Sequence, residues 1–423
     1  MKTWFSFKHA RRLERLVGDA NPMAWLPFSV AQSGLTGPGS DVGELAPAWG
    51  HLLDRLRTAG SIVSSTDVNR NNVDYASGMR HLLVLLAVGI DEALRADRDP
   101  VLAVTRTSTD DVLTWGMECP DCLYLRATLR NGETYRLFGN RGTARYVGLQ
   151  TMDGIASTSN CLVDELEPDA DGNFEVVLSA DEQPGNWIRL DGDHPTLVVR
   201  HFFYDWETEK PSSLQIERIG DEVEPRDRHE ATGVAVARQI HALGDFVHDN
   251  LKFFLDFNAG PPANGFMPPI DRSDIGAAAE NRPVIGRYEL DPDEALIMEV
   301  EPPRGVYWSY SLGNPWWETI HYGRHQSSLN AHQATIDADG ILRVVVSPRD
   351  PGVANWLDTA GHSNGAMILR CVRTETAPTP DVRVVKFADV SSELPADTAT
   401  VSPEQRAAVI AARRRAVHER FSA

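Results

Sequence analysis

Residues 169–200 read DADGNFEVVLSADEQPGNWIRLDGDHPTLVVR, and residues 337–370 read DADGILRVVVSPRDPGVANWLDTAGHSNGAMILR. Both stretches run through DADG, an alternating apolar–polar strand pattern, a Pro/Gly turn, Asn-Trp, a polar turn, and an apolar run closing on arginine. A repeat on this scale settles architecture ahead of any local reading. The correspondence extends in both directions. Upstream, RATLRNGETYRLFGNRGTARYVGLQ (126–150) parallels GRYELDPDEALIMEVEPPRGVYWSYSLG (286–313); downstream, SLQIERI (213–219) parallels DVRVVKF (381–387). Islands recurring in one order imply that the chain carries one β-rich unit twice.

Short alternating runs separated by Asn-Gly, Asp-Pro-Asp and Asp-Gly turns predict antiparallel strands in each unit. Such sheets must bury a face. The expected fold class is therefore α+β: two tandem antiparallel β-sandwich or jelly-roll-like units with flanking and linking helices. The divisions follow as a helical N-terminal segment (1–100), a first β unit (101–221), a linking helix and loop (222–283), a second β unit (284–390) and a C-terminal helix (391–423). Helical periodicity falls at 43–62, 75–95 and 226–257, the last carrying Val234, Ile240, Leu243, Phe246, Val247, Leu251 and Phe254. Ser402, Pro403 and Glu404 form a helix start, and arginines 413–415 suit the negative end of its dipole. Pro, Gly and Ala over 258–281 predict a surface loop.

A net charge of −19 repels phosphate backbones and anionic headgroups, which argues against nucleic acid and membrane surfaces as partners. The first residues lack the unbroken apolar core of a signal peptide. The run LLVLLAVGI (82–90) is too short to span a bilayer and reads as a buried helix. Four cysteines make no disulfide framework, so a reducing cytoplasm is the expected location.

The run DPGVANWLDTAGHSNGAMILR (350–370), preceded by DADG and a Trp/His-rich segment, resembles the bacterial DUF1214 family, whose members often also carry a DUF1254 region. CPDCLYLRATL (119–129) is similar to that family's Asn-Pro-Asp-Asn-x-Tyr element, with cysteine where asparagine is usual. The resemblance spans roughly 105–390. It implies a β-sandwich-like fold and no particular reaction.

Three patterns suggest chemistry but lack its context. Cys119-Pro-Asp-Cys122 has no second CxxC to complete a zinc site and leads into a strand, so inert buried thiols are the better reading. Gly361-His362-Ser363-Asn364-Gly365 matches a nucleophile elbow in letters, yet a strand rather than a helix follows. His241, Asp245 and His248 share one face of the linking helix and are a weak metal candidate.

The richest polar cluster is Trp316, Trp317, His321, Tyr322, His325, Asn330 and His332. Imidazoles beside aromatic rings suit a small-molecule pocket, although tryptophans also fill sandwich cores. Residues present in both units, such as Arg200 and Arg370 or Asn186-Trp187 and Asn355-Trp356, read as structural; asymmetric ones read as functional. His321 or His325 is then the expected base, with Asp358 orienting it and Tyr322 donating a hydrogen bond. Trp317, Trp356, Arg145, Tyr146 and Arg370 would bind substrate in a cleft between the units. No nucleotide-binding signature occurs, and the cofactor is left open. Hydrolase- or lyase-like acid–base chemistry on a small molecule is one reading. A non-catalytic carrier is a second, and a scaffold or homo-oligomer is a third.

Overall fold

Branched and aromatic residues at alternate positions give each predicted strand one apolar face, and these faces pair as two sandwiches. The computed structural model describes residues 42–95, 103–104, 113–153, 156–193, 195–220, 233–269 and 281–421. Readings that fall on 1–41, 226–232 and 270–280 lie outside the described residues.

Unit 1 contains β1 (Ala103–Val104), β2 (Cys122–Thr128), β3 (Thr134–Asn140), β4 (Tyr146–Asp153), β5 (Ala156–Leu162), β6 (Asn173–Ser179), β7 (Trp187–Arg189), β8 (Pro195–Phe202) and β9 (Ser213–Ile219). Unit 2 contains β10 (Gly265–Phe266), β11 (Val284–Glu289), β12 (Glu294–Val300), β13 (Gly305–Leu312), β14 (Ser328–Asn330), β15 (Leu342–Ser347), β16 (Trp356–Asp358), β17 (Asn364–Thr374) and β18 (Asp381–Lys386). In unit 1 a five-stranded sheet ordered β1-β2-β8-β4-β5 faces a four-stranded sheet ordered β7-β6-β3-β9. In unit 2 the orders are β10-β11-β17-β13-β14 and β16-β15-β12-β18. The strand orders of the two units match place for place. In each, the short strand β7 or β16 pairs in parallel with its neighbour and the other pairs are antiparallel.

The shared sequence frame has a structural cause. Asn186 donates to the carbonyls of Glu167 and Glu175, and Asn355 donates to those of Thr335 and Arg343, tying the turn to the strand beside it. The indole N–H groups of Trp187 and Trp356 donate to the carbonyls of Ser179 and Ser347, at 3.2 and 3.1 Å. The DADG turns place Gly172 and Gly340 at φ of 80° and 84°, a region that glycine enters without steric cost.

Three long helices form a separate layer: α1 (Leu45–Ser65), α2 (Asn72–Arg95) and α3 (Gly233–Asn258). Leu52, Val63, Leu85, Phe246 and Leu251 supply its core, and Trp316 of unit 2 is inserted among them. By length and composition alone, Asn72–Leu94 is apolar enough to cross a membrane. In this fold Val84 and Leu85 are buried, while Leu83 and Leu94 are 65% and 66% exposed. Within 82–90 Leu83 and Ile90 are the exposed residues, so the apolar run packs into the core along one side, where full burial was expected.

After the short α4 (Val390–Glu393), α5 (Pro403–Phe421) closes the chain. Ser402 caps it as expected: the Gln405 amide donates to the Ser402 hydroxyl while the Gln405 side chain accepts from the Ser402 amide. The arginines that matter recur every seventh residue, on one face of the helix. Arg406 donates to Asp350 and to the Val353 carbonyl, Arg413 to the Tyr322 carbonyl and Ser328, and Arg420 to the Pro120 carbonyl. Arg413 and Arg420 also lie over the Trp206 ring of unit 1, so α5 binds the two units together.

Packing around Trp316 reverses an ordinary helix rule. Gly60 of α1 has open space where a Cβ would stand, whereas a Cβ on Gly78 of α2 would meet the Trp316 ring at 2.2 Å. Gly60→Ala is expected to stabilise the protein by about 0.5–1 kcal/mol. Gly78→Ala, the same change in the next helix, should destabilise by about 1–3 kcal/mol through overpacking. Melting temperatures of the two variants moving the same way would contradict this packing.

Candidate functional site

The loop between β13 and β14, residues 313–327, has no counterpart in unit 1, where only residues 154–155 separate β4 from β5. It carries the Trp/His cluster. Most of its side chains hold the fold together. Trp316 donates its indole N–H to the Asp74 carbonyl at 2.8 Å, within the helical layer. Trp317, at φ of 63°, packs on Phe254 and Phe257 of α3. Glu318 accepts from Asn314 at 2.7 Å and lies 3.0 Å from His81 of α2. Ile320 enters the core of unit 2, and Tyr322 packs edge-on against Trp206.

The loop then turns outward. The His325 amide donates to the His321 carbonyl, and the imidazole Nδ1 of His325 lies 2.7 Å from Asp358 Oδ2 at the end of β16. An ionised carboxylate only accepts, so Nδ1 donates to it, and in the neutral imidazole the lone pair then sits on Nε2. Asp358 is itself fixed. Its other oxygen accepts from the Ala360 amide at 2.8 Å, and its own amide donates to the Gln326 carbonyl. The His325 side chain is 35% exposed and that of Asp358 15%. An imidazole oriented by a fixed carboxylate and open to solvent can take up and release protons.

The structure brings together His325 and Asp358, with His321 one helical turn before them. It does not bring the other predicted site residues there. Tyr322 and Tyr146 are 1% and 3% exposed, and the latter packs on Phe202 at the unit interface. Trp317 and Trp356 are core residues, with the Trp356 indole N–H consumed inside its own sheet. Arg370 is buried and donates to Ser311 and the Met117 carbonyl. Arg145 is exposed, yet its Nε donates across the unit boundary to the Val306 carbonyl at 2.9 Å. The expected cleft between the units is filled instead, by Cys119, Cys122, Phe202, Tyr307 and Val372.

At the centre of that interface is a residue that motif reading passed over. Asp121 of the Cys-Pro-Asp-Cys element is fully buried; one carboxylate oxygen accepts from Trp206 at 2.6 Å and Asn330 at 2.8 Å, the other from Tyr307 at 2.5 Å. Burial pushes the thiols of Cys119 and Cys122 upward, so both stay protonated. The Gly-His-Ser-Asn-Gly turn is likewise structural. His362 and Ser363 each donate to Asp74 of α2, at 2.8 and 2.7 Å, so the serine is bonded to a carboxylate and not to an imidazole.

A family model described as "Protein of unknown function (DUF1214)" matches residues 288–376, a span containing the long loop, His325 and Asp358. The crystal structure of an uncharacterized protein from Burkholderia cenocepacia superposes with a TM-score of 0.75 at 30% identity, covering 82% of this chain and 99% of that one. The chain belongs to the DUF1214 family. A Vibrio parahaemolyticus protein is a more distant likeness, with a TM-score of 0.42 and 12% identity over 73% of this chain and 99% of that one. No curated protein matches the chain.

His201, on β8, shows the contrasting fate of a histidine. It is buried against the Leu123 carbonyl and Ser212, and burial pushes its imidazole from an ordinary 6.5 down to about 4. The folded state therefore refuses a proton that the unfolded chain accepts below 6.5. Stability from this group is complete above pH 6.5 and is lost as pH falls towards 4, by about 3 kcal/mol in all. His201→Gln should melt lower at pH 7 and show a shallower fall between pH 6.5 and 4. An unchanged slope would remove His201 as its source.

Proposed function

We propose that unit 2 carries an acid–base site in which His325 Nε2 is the base and Asp358 the group that orients it, acting on a small organic molecule. The observation that carries this reading is the 2.7 Å bond between His325 Nδ1 and a carboxylate that is fixed on its other side. Asp358 also stands where unit 1 has Arg189, and the loop bearing His325 belongs to unit 2 alone. A duplicated fold that adds an imidazole and a carboxylate to only one copy has given that copy something the scaffold did not need. Duplication is itself part of the proposal, supported by the common strand order and the paired Asn-Trp turns.

Chemistry of this kind is proton abstraction or the activation of water, as in hydrolysis or elimination. Removing a positioned base typically costs 10²–10⁴ in rate. A ring-stacking carrier pocket has less support, because Trp316, Trp317 and Trp356 are at most 7% exposed.

The test is a turnover screen of the full chain against esters, lactones, amides and hydroxy acids, with products read by mass spectrometry. The active class should lose about a hundredfold or more in kcat with His325→Gln. Asp358→Asn should lose somewhat less, with melting temperatures little changed. Nitrogen-15 spectra should show the Nδ1-protonated tautomer of His325 in the wild type and a tautomer mixture in Asp358→Asn. Turnover that survives His325→Gln intact would end the assignment.

A further inference from the structure

Away from unit 2, helices α1 and α3 bring together His51, His241 and Asp245, which the proposed acid–base site does not use. His51 of α1 and His241 of α3 stack with ring centroids 3.6 Å apart and planes 4° from parallel. Both address one carboxylate: His51 Nε2 lies 2.9 Å from Asp245 Oδ1, and His241 Nδ1 lies 3.2 Å from Asp245 Oδ2. The three ligand atoms all fall within 4.8 Å of one another. We propose that His51, His241 and Asp245 form a site for a divalent transition-metal ion of the zinc, cobalt and nickel class, which clamps α1 to α3.

Two neutral imidazoles and a carboxylate suit such ions, with bonds near 2.0–2.2 Å and ligand atoms roughly 3.4 Å apart in a tetrahedron. The two histidine–carboxylate contacts, 2.9 and 3.2 Å, are close to that spacing, and because a bound metal lies in the plane of each imidazole, the parallel rings would rotate about their side-chain bonds to share one ion. The carboxylate is held from behind, since Arg55 Nε donates to Asp245 Oδ1 at 2.6 Å. Asp249, 3.7 Å from Arg55, offsets the charge of that guanidinium. A supporting shell of this kind orients a ligand and raises metal affinity. Three protein ligands leave at least one position for water. The helix-face reading of the sequence named His241, Asp245 and His248. The structure replaces His248, which turns to Asp249 at 2.6 Å, with His51 from the neighbouring helix.

That substitution sets the experiment. Full-length protein stripped with a chelator is titrated with Zn²⁺ by calorimetry and with Co²⁺ by visible spectroscopy. The expected result is one site per chain, visible-region Co²⁺ bands, and a rise in melting temperature with Zn²⁺. His51→Ala and His241→Ala should each weaken binding tenfold or more, while His248→Ala stays within twofold. His241 is 53% exposed, so its variant tests the site even if His51→Ala folds poorly. The proposal is overturned by no binding, by undiminished binding in His241→Ala, or by His248→Ala losing as much as His241→Ala.

Discussion

The buried carboxylate of Asp121 is the interaction on which the assembly of the two sandwiches depends. A lone charge taken out of water costs several kcal/mol unless hydrogen bonds replace its hydration. Asp121 meets that demand with donors from both units, Trp206 from unit 1 and Tyr307 and Asn330 from unit 2. None of these donors can leave without stranding the charge, so the carboxylate fixes how the units sit. Positive charge is close by, because Arg413 is buried next to Asp121. Burial lowers its guanidinium to about 10, still far above neutrality. The arginine face of α5 and the Asp121 donors are therefore one polar seam, closed from two directions.

A second constraint follows from where the five-stranded sheets lie. Strand β17 is buried on both faces: Met367, Leu369 and Cys371 enter the sandwich core, while Ala366, Ile368 and Val372 meet the helices and unit 1. Arg370, on that second face, is satisfied by Ser311 and a main-chain carbonyl. Its counterpart Arg200 is satisfied by Gln150. The long loop 313–327 supplies the remaining cover. Its tryptophans fill space between sheet and helices, which is why an aromatic cluster that resembles a pocket is instead a plug.

Much of this was legible because it rests on local rules. The alternating runs, the DADG and Asn-Trp turns and the Ser402 cap each fix a backbone conformation within a few residues, so sequence carries the whole signal. An orienting role for Asp358 beside His321 or His325 was expected for a different reason: none of the three has a matching residue at the corresponding place in unit 1. What stayed hidden depends on contacts between distant segments. Nothing near Trp317 in the chain says that Phe254 and Phe257 will cover it, and nothing near Asp245 says that α1 will present His51. Asp121 was masked by the cysteines around it, which draw attention to sulfur chemistry. The arginine seam did have a signal, the recurrence of Arg406, Arg413 and Arg420 at seven-residue intervals, overshadowed by the adjacent run at 413–415.

The division of labour inside the long loop bears on how a site could arise here at all. An imidazole oriented by a carboxylate is useful only if the pair is held to within a fraction of an ångström. In the loop, Trp316 and Glu318 anchor to α2, Trp317 to α3 and Ile320 to the core of unit 2 before the chain reaches His321 and His325. Asp358 comes from a short strand whose register against β15 is set by Trp356 and Asn355. The buried aromatics would therefore contribute to the proposed site by removing the freedom of the segment that carries His325. On this view the plug and the proposed site are one device: the buried tryptophans fix the loop from which His325 reaches the surface.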